Sequence, residues 1–138
     1  MRRTMFVGVA AAFAVLGCIK DSEPIDRDRG ELQDFARAYS EYQNAFGKPP
    51  DTVADLVTYR ANAGLTGLPA GIGRMKVPWG VGFGSLYREP DAANTVFASA
   101  TPLNGVVPVL MANGTVKTMS QADFDKALKV AAPVVRRK

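Results

Sequence analysis

An α+β domain is expected, with a long N-terminal amphipathic helix packed on a small antiparallel sheet of three to four strands. A short helix and a C-terminal helix complete it. Three observations carry that expectation. Leu32, Phe35, Tyr39, Tyr42 and Phe46 recur at spacings of three and four, which puts them on one helical stripe. Asn94 to Ala100 and Val106 to Lys117 alternate or run apolar as strands do. Asn113-Gly114 divides the second run into two strands, where a type I′ turn needs positive φ at both central residues.

Taken in order, the chain opens on a segment to be set apart from the fold. Met1 to Thr4 is short and basic, and Met5 to Leu16 is apolar for about a dozen residues. A spanning helix needs roughly 17–25, so residues 1–17 read as an export signal. Val15-Leu16-Gly17-Cys18 ends it, followed at once by polar residues. This stretch resembles a bacterial lipoprotein signal, which implies cleavage before Cys18 and diacylation of its thiol. Cys18 is the single cysteine in 138 residues, so no internal disulfide is available. An acylated thiol is an anchor, and each buried CH₂ adds roughly 0.8 kcal/mol to membrane affinity. Residues 18–29, polar and containing Pro24, read as the acylated cysteine and a tether. Residues 30–138 form the domain.

The helix from Gly30 stops at Phe46, because Gly47 suits the position after a helix and Pro49-Pro50 cannot continue one. Thr52-Val53-Ala54-Asp55 has the form of a capping box and starts a second helix ending near Asn62. Ala63 to Arg74 holds four glycines and a proline and reads as a loop. It lacks the Lys-Ser/Thr ending of a phosphate-binding loop. Met75 to Phe83 reads as a broken strand, with Pro78 requiring an edge or a bulge. In the next strand Val96 and Ala98 are expected on one face, and Thr95, Phe97 and Ser99 on the other. Pro102 to Gly105 forms a turn into the hairpin. There Val107, Val109 and Met111 share one face, and Leu110 and Ala112 the other. Ser120-Gln121-Ala122-Asp123 caps a last helix whose apolar face is Phe124, Ala127, Leu128 and Ala131, closed by Pro133.

The chemistry of the chain is narrow. Histidine is absent from all 138 residues, which removes the commonest general acid–base group and metal ligand. Ser and Thr hydroxyls have no visible base, and Asp123 and Asp125 diverge at i, i+2. No enzyme activity, cofactor or metal is expected. The formal charge of +4 falls to +2 without Arg2 and Arg3, too mild for nucleic acid. The basic run Arg136-Arg137-Lys138 reads as a solvated tail. A binding rim is drawn from Gly71, Gly73 and Trp79, as the surface of a module for a small ligand or exported peptide.

Phe46-Gly47-Lys48-Pro49-Pro50, Thr52 to Leu56, Val77-Pro78-Trp79-Gly80 and Val109 to Lys117 occur in an order similar to that of a known family. The chain resembles the soluble domain of type II secretion pseudopilins, and more closely the pseudopilin-like lipoproteins of planctomycete-type bacteria. Asn113 stands where that family usually has Asp. The resemblance implies a non-catalytic envelope protein, held to the membrane by lipid on Cys18, with its domain facing the periplasm and an envelope protein as partner. Ile19, rather than Asp, after the cysteine favours the outer membrane. A lipoprotein signal and a polar tether replace the prepilin leader and long hydrophobic helix of a true pseudopilin, so filament assembly is not implied. The calcium ligands of the major pseudopilin have no matching residues here.

Overall fold

A computed structural model describes residues 23–65 and 67–133. The signal segment, Cys18 and the basic run at 136–138 lie outside these residues. The elements in chain order are α1 (Glu23–Phe46), α2 (Val53–Asn62), β1 (Thr95–Ser99), β2 (Val106–Met111), β3 (Val116–Ser120), α3 (Gln121–Lys126) and β4 (Leu128–Lys129). One four-stranded sheet has the order β3-β2-β1-β4. The fold is α+β as the sequence predicts, and the sheet is mixed: β4 runs parallel to β1 while the other pairs are antiparallel.

The helix α1 starts at Glu23, so residues 23–29 belong to it and not to a tether. Pro24 is accommodated because first-turn N–H groups have no intrahelical partner. Glu23 and Asp26 lie in the first turn, where negative charge suits the helix dipole. Gly30 costs about 1 kcal/mol in a helix interior. Leu32, Phe35 and Tyr39 outweigh it, since all three are fully buried at about 1.5–3 kcal/mol each. The helix ends as read: Gly47 has φ +66° and donates to the carbonyl of Gln43 at 2.8 Å. Phe46 departs from the stripe's core role. It is 55% exposed and stacks on Tyr42 and on Tyr59 of α2, at centroid distances of 4.5 and 5.6 Å. The capping box of α2 is complete: Thr52 Oγ1 accepts from the Asp55 N–H, and the Asp55 carboxylate accepts from the Thr52 N–H.

Both faces of the sheet are covered. Leu110, Phe97, Ala98 and Ala112 pack against α1, whereas Val96, Val107, Val109 and Met111 form a second cluster beneath Met119, Phe124 and Ala127. The hairpin faces agree with the sequence reading, and those of β1 do not. Val96 pairs with Met111 and Ala98 with Leu110, so Phe97 is an extra residue in a bulge. The bulge sends Val96 and Ala98 to opposite faces and puts Phe97 beside Ala98 in the main core. Pro108 sits in a central strand without loss. Its carbonyl accepts from Ala100, one residue past the end of β1, and its missing N–H points to that same frayed end.

The two Asn-Gly dipeptides exchange roles. Asn113 is not in the positive-φ region; Gly114 is, at +94°. Gly114 N–H donates to Met111 and Met111 N–H to Thr115, which closes a three-residue loop rather than a type I′ turn. The Asn113 side chain accepts from the Thr115 N–H at 3.0 Å. Asn104 and Gly105 have φ of +50° and +75°, and Leu103 and Val106 exchange both backbone hydrogen bonds across them. The type I′ turn is there.

Two further expectations are corrected. Residues 75–83 form no strand; a single bridge joins Lys76 to Ser99, and Gly80 at φ +81° bends the chain away after Pro78. The C-terminal helix ends at Lys126, and Leu128, expected on its apolar face, is 61% exposed in β4. Pairing wins over helix continuation because the outer edge of β1 carries unmet backbone groups; Val130 N–H donates to the carbonyl of Val96.

At its C-terminal end, the segment 75–83 is held to α1 by the side chain of Gln43. Gln43, 4% exposed, accepts from the Phe83 N–H at 2.9 Å and donates to the Phe83 carbonyl at 3.0 Å. Gln43→Leu would strand both groups in the interior, so a stability loss of about 3 kcal/mol is expected in urea unfolding. Gly114→Val should lose about 1–2 kcal/mol through its left-handed backbone, while Asn113→Asp keeps the acceptor and should leave the unfolding midpoint in place.

Candidate functional site

The three rim residues do not converge. Trp79 is half-buried against α1, edge-on to Phe35 and tilted on Tyr39, both at 6.0 Å between centroids. It is placed there by Pro78, which is buried, and by Gly80, whose N–H donates to Pro50. Gly73 is exposed with no atom near the site of a Cβ. Gly71 is buried, and a Cβ on it would collide with the carboxylate of Glu31.

Gly71 lines a cleft of about 210 Å³ between the first turns of α1, the 3-10 turn Ile72–Arg74 and the segment Ala100–Leu103. Neither Gly73 nor Trp79 lines it. Its charged groups are Arg27, Asp28, Glu31 and Arg74, and Pro24, Met75, Pro102 and Leu103 give it apolar walls. Arg27 Nε lies 3.7 Å from Asp28 Oδ1, and the Asp28 side chain is 15% exposed. Asp28 and Glu31 share a helix face at i, i+3. That relation is invisible while Asp28 is read as tether, which is why the sequence did not point to it. The spacing would have found it had the helix been started at Pro24.

A second groove of about 270 Å³ lies between Lys76–Pro78, β1 and Lys129–Ala132. Lys129 is already committed: its Nζ donates to the carbonyls of Phe124 and Ala127 and stands 4.5 Å over the Phe124 ring. It serves as the cap of α3. Arg60 bridges α2 to Glu41 of α1 at 2.9 Å. Among the described residues, no group of three or more Cys, Asp or Glu side chains is placed to hold a metal ion, and no helix is long and apolar enough to cross a membrane.

The chain matches no family model, no characterised protein and no solved structure.

Among the described residues, one titrating group is strongly shifted. Tyr39 donates to the Val81 carbonyl at 2.8 Å, and burial, followed by the negative charge of Asp51, pushes its phenol well above the ordinary value. The fold thus retains a proton that the unfolded chain releases near pH 10. The stabilisation is complete below about pH 10 and is lost as pH rises through the raised value. Tyr39→Phe should cost about 1 kcal/mol at pH 7. It should also flatten the decline of the urea midpoint between pH 9 and 11; an equally steep decline would assign that linkage to another group.

Proposed function

We propose that this is a lipid-anchored cell-envelope protein without catalytic activity, a structural or accessory subunit whose pseudopilin-like domain faces the periplasm. The observation that carries the reading is Val15-Leu16-Gly17-Cys18 after a short apolar run, with polar residues directly following. The lack of histidine throughout the chain supports a role outside catalysis. A long helix lying along a small sheet, followed by a short capped helix, is compatible with the pseudopilin resemblance and supports carrying it forward. Outer-membrane residence follows from Ile19 after the cysteine, and the partner is another envelope protein. A second reading, a binding module for a small ligand or exported peptide, draws on the cleft beside Gly71.

Cys18→Ser should abolish incorporation of labelled palmitate and leave the precursor uncut. Persistent labelling of that variant would defeat the anchor.

A further inference from the structure

The cleft beside Gly71 has features that a general surface depression lacks. Two arginines and two carboxylates line it in equal number. Glu31 and Arg74 approach Gly71 from the same side. Neither takes a hydrogen-bond or ion-pair partner among the described residues. Asp28 is mostly shielded from solvent, and among the described residues its ion pair is with Arg27, at the long distance of 3.7 Å. Opposite charges placed close together without pairing are suited to a ligand that itself carries both signs. Met75, Pro102 and Leu103 add apolar lining.

Position supplies the second argument, and it rests on the anchor reading above. Five residue steps separate Cys18 from Glu23. At 3.3–3.6 Å per residue they span at most about 18 Å, and the headgroup layer on each side of a bilayer adds roughly 5–8 Å. Pro24, one residue into α1, already lines the cleft. The type I′ turn at Asn104–Gly105 directly follows the cleft segment Ala100–Leu103, whereas Gln43 and Phe46 lie at the far end of α1. An acylated Cys18 would therefore hold the cleft end of the domain at the lipid surface.

We infer that the cleft between α1 and residues 71–75 and 100–103 binds the phosphoethanolamine headgroup of a membrane lipid. Arg27 and Arg74 take the phosphate, for which the guanidinium fork is well matched. Asp28 and Glu31 accept from the primary ammonium. The glycerol end rests on Met75, Pro102 and Leu103. A cleft of about 210 Å³ has room for a headgroup. Choline has no N–H to give the carboxylates, and a purely anionic headgroup would leave both carboxylates unpaired near its phosphate. The site thus selects ethanolamine over both.

The test uses processed protein purified from bacterial membranes in detergent, titrated with glycerophosphoethanolamine and with glycerophosphocholine while backbone amide shifts are followed. Shifts at residues 71–75 and 100–103 should saturate with at least tenfold tighter binding for the ethanolamine compound. Arg74→Gln and Glu31→Gln should each weaken it at least tenfold at an unchanged melting temperature. Equal titrations, or shifts confined to other residues, would overturn the proposal; so would full binding by a folded Arg74→Gln variant. In a second arm the protein is reconstituted in phosphatidylcholine vesicles with or without phosphatidylethanolamine. Slower amide exchange at the cleft only in the ethanolamine vesicles assigns the ligand to the bilayer, and no difference overturns that source. Palmitate labelling of Cys18 is scored separately, so failure of the anchor and failure of the cleft give different results.

Discussion

The side-chain amide of Gln43 presents a donor and an acceptor in the arrangement of a backbone peptide, and Phe83 pairs with it as one strand residue pairs with the next. Much of the domain depends on that pair. The segment from Val77 to Phe83 contains Pro78, Gly80 and Gly82 and cannot enter a ladder of its own. Anchored at Phe83, it is fixed along the length of α1 by Tyr39 on Val81 and by Trp79 on Phe35. The next residue, Gly84, donates to the carbonyl of Ala112 and so joins the segment to the hairpin. Helix, irregular segment and sheet are coupled through two consecutive residues.

The two ends of α1 differ in their polar chemistry. At the C-terminal end the polar groups that carry the packing are answered: Gln43 by Phe83, Gly47 by Gln43, Glu41 by Arg60. At the N-terminal end Glu31 and Arg74 sit close together beside a cleft with no partner among the described residues, Arg74 exposed and Glu31 half-buried. Charges that water still reaches keep their hydrogen-bonding capacity for a partner from outside. The stitched end supplies the rigidity that lets the open end hold its shape.

Local signals in the sequence were legible where the chemistry is local. The stop at Gly47, the capping box of Thr52 and Asp55, and the alternation in β2 depend on residues within a few positions of one another. Features set by distant partners were not. Gln43 reads as a surface residue until Phe83 is brought to it. Asn113-Gly114 and Asn104-Gly105 are the same dipeptide, and the hydrogen-bonded register of β2, not the letters, decides which becomes type I′. The bulge at Phe97 and the strand at Leu128 arise from tertiary pairing that no window of residues contains. The cleft was missed for a related reason: half of its charges stand on a helical turn that the proline had seemed to exclude.

The two-residue strand β4 has a consequence for the order of assembly. All five residues of β1 are buried, and among the described residues their outer edge is covered by Leu128 to Val130 and by the bridge from Lys76. Chains are made N-terminal first. Until Leu128 and Lys129 dock, the stretch Thr-Val-Phe-Ala-Ser stands as an open apolar edge, the kind of surface that recruits other chains. The few residues after Lys126 thus act as a closing latch, whose value lies less in the free energy of two ladder rungs than in the misassembly they end.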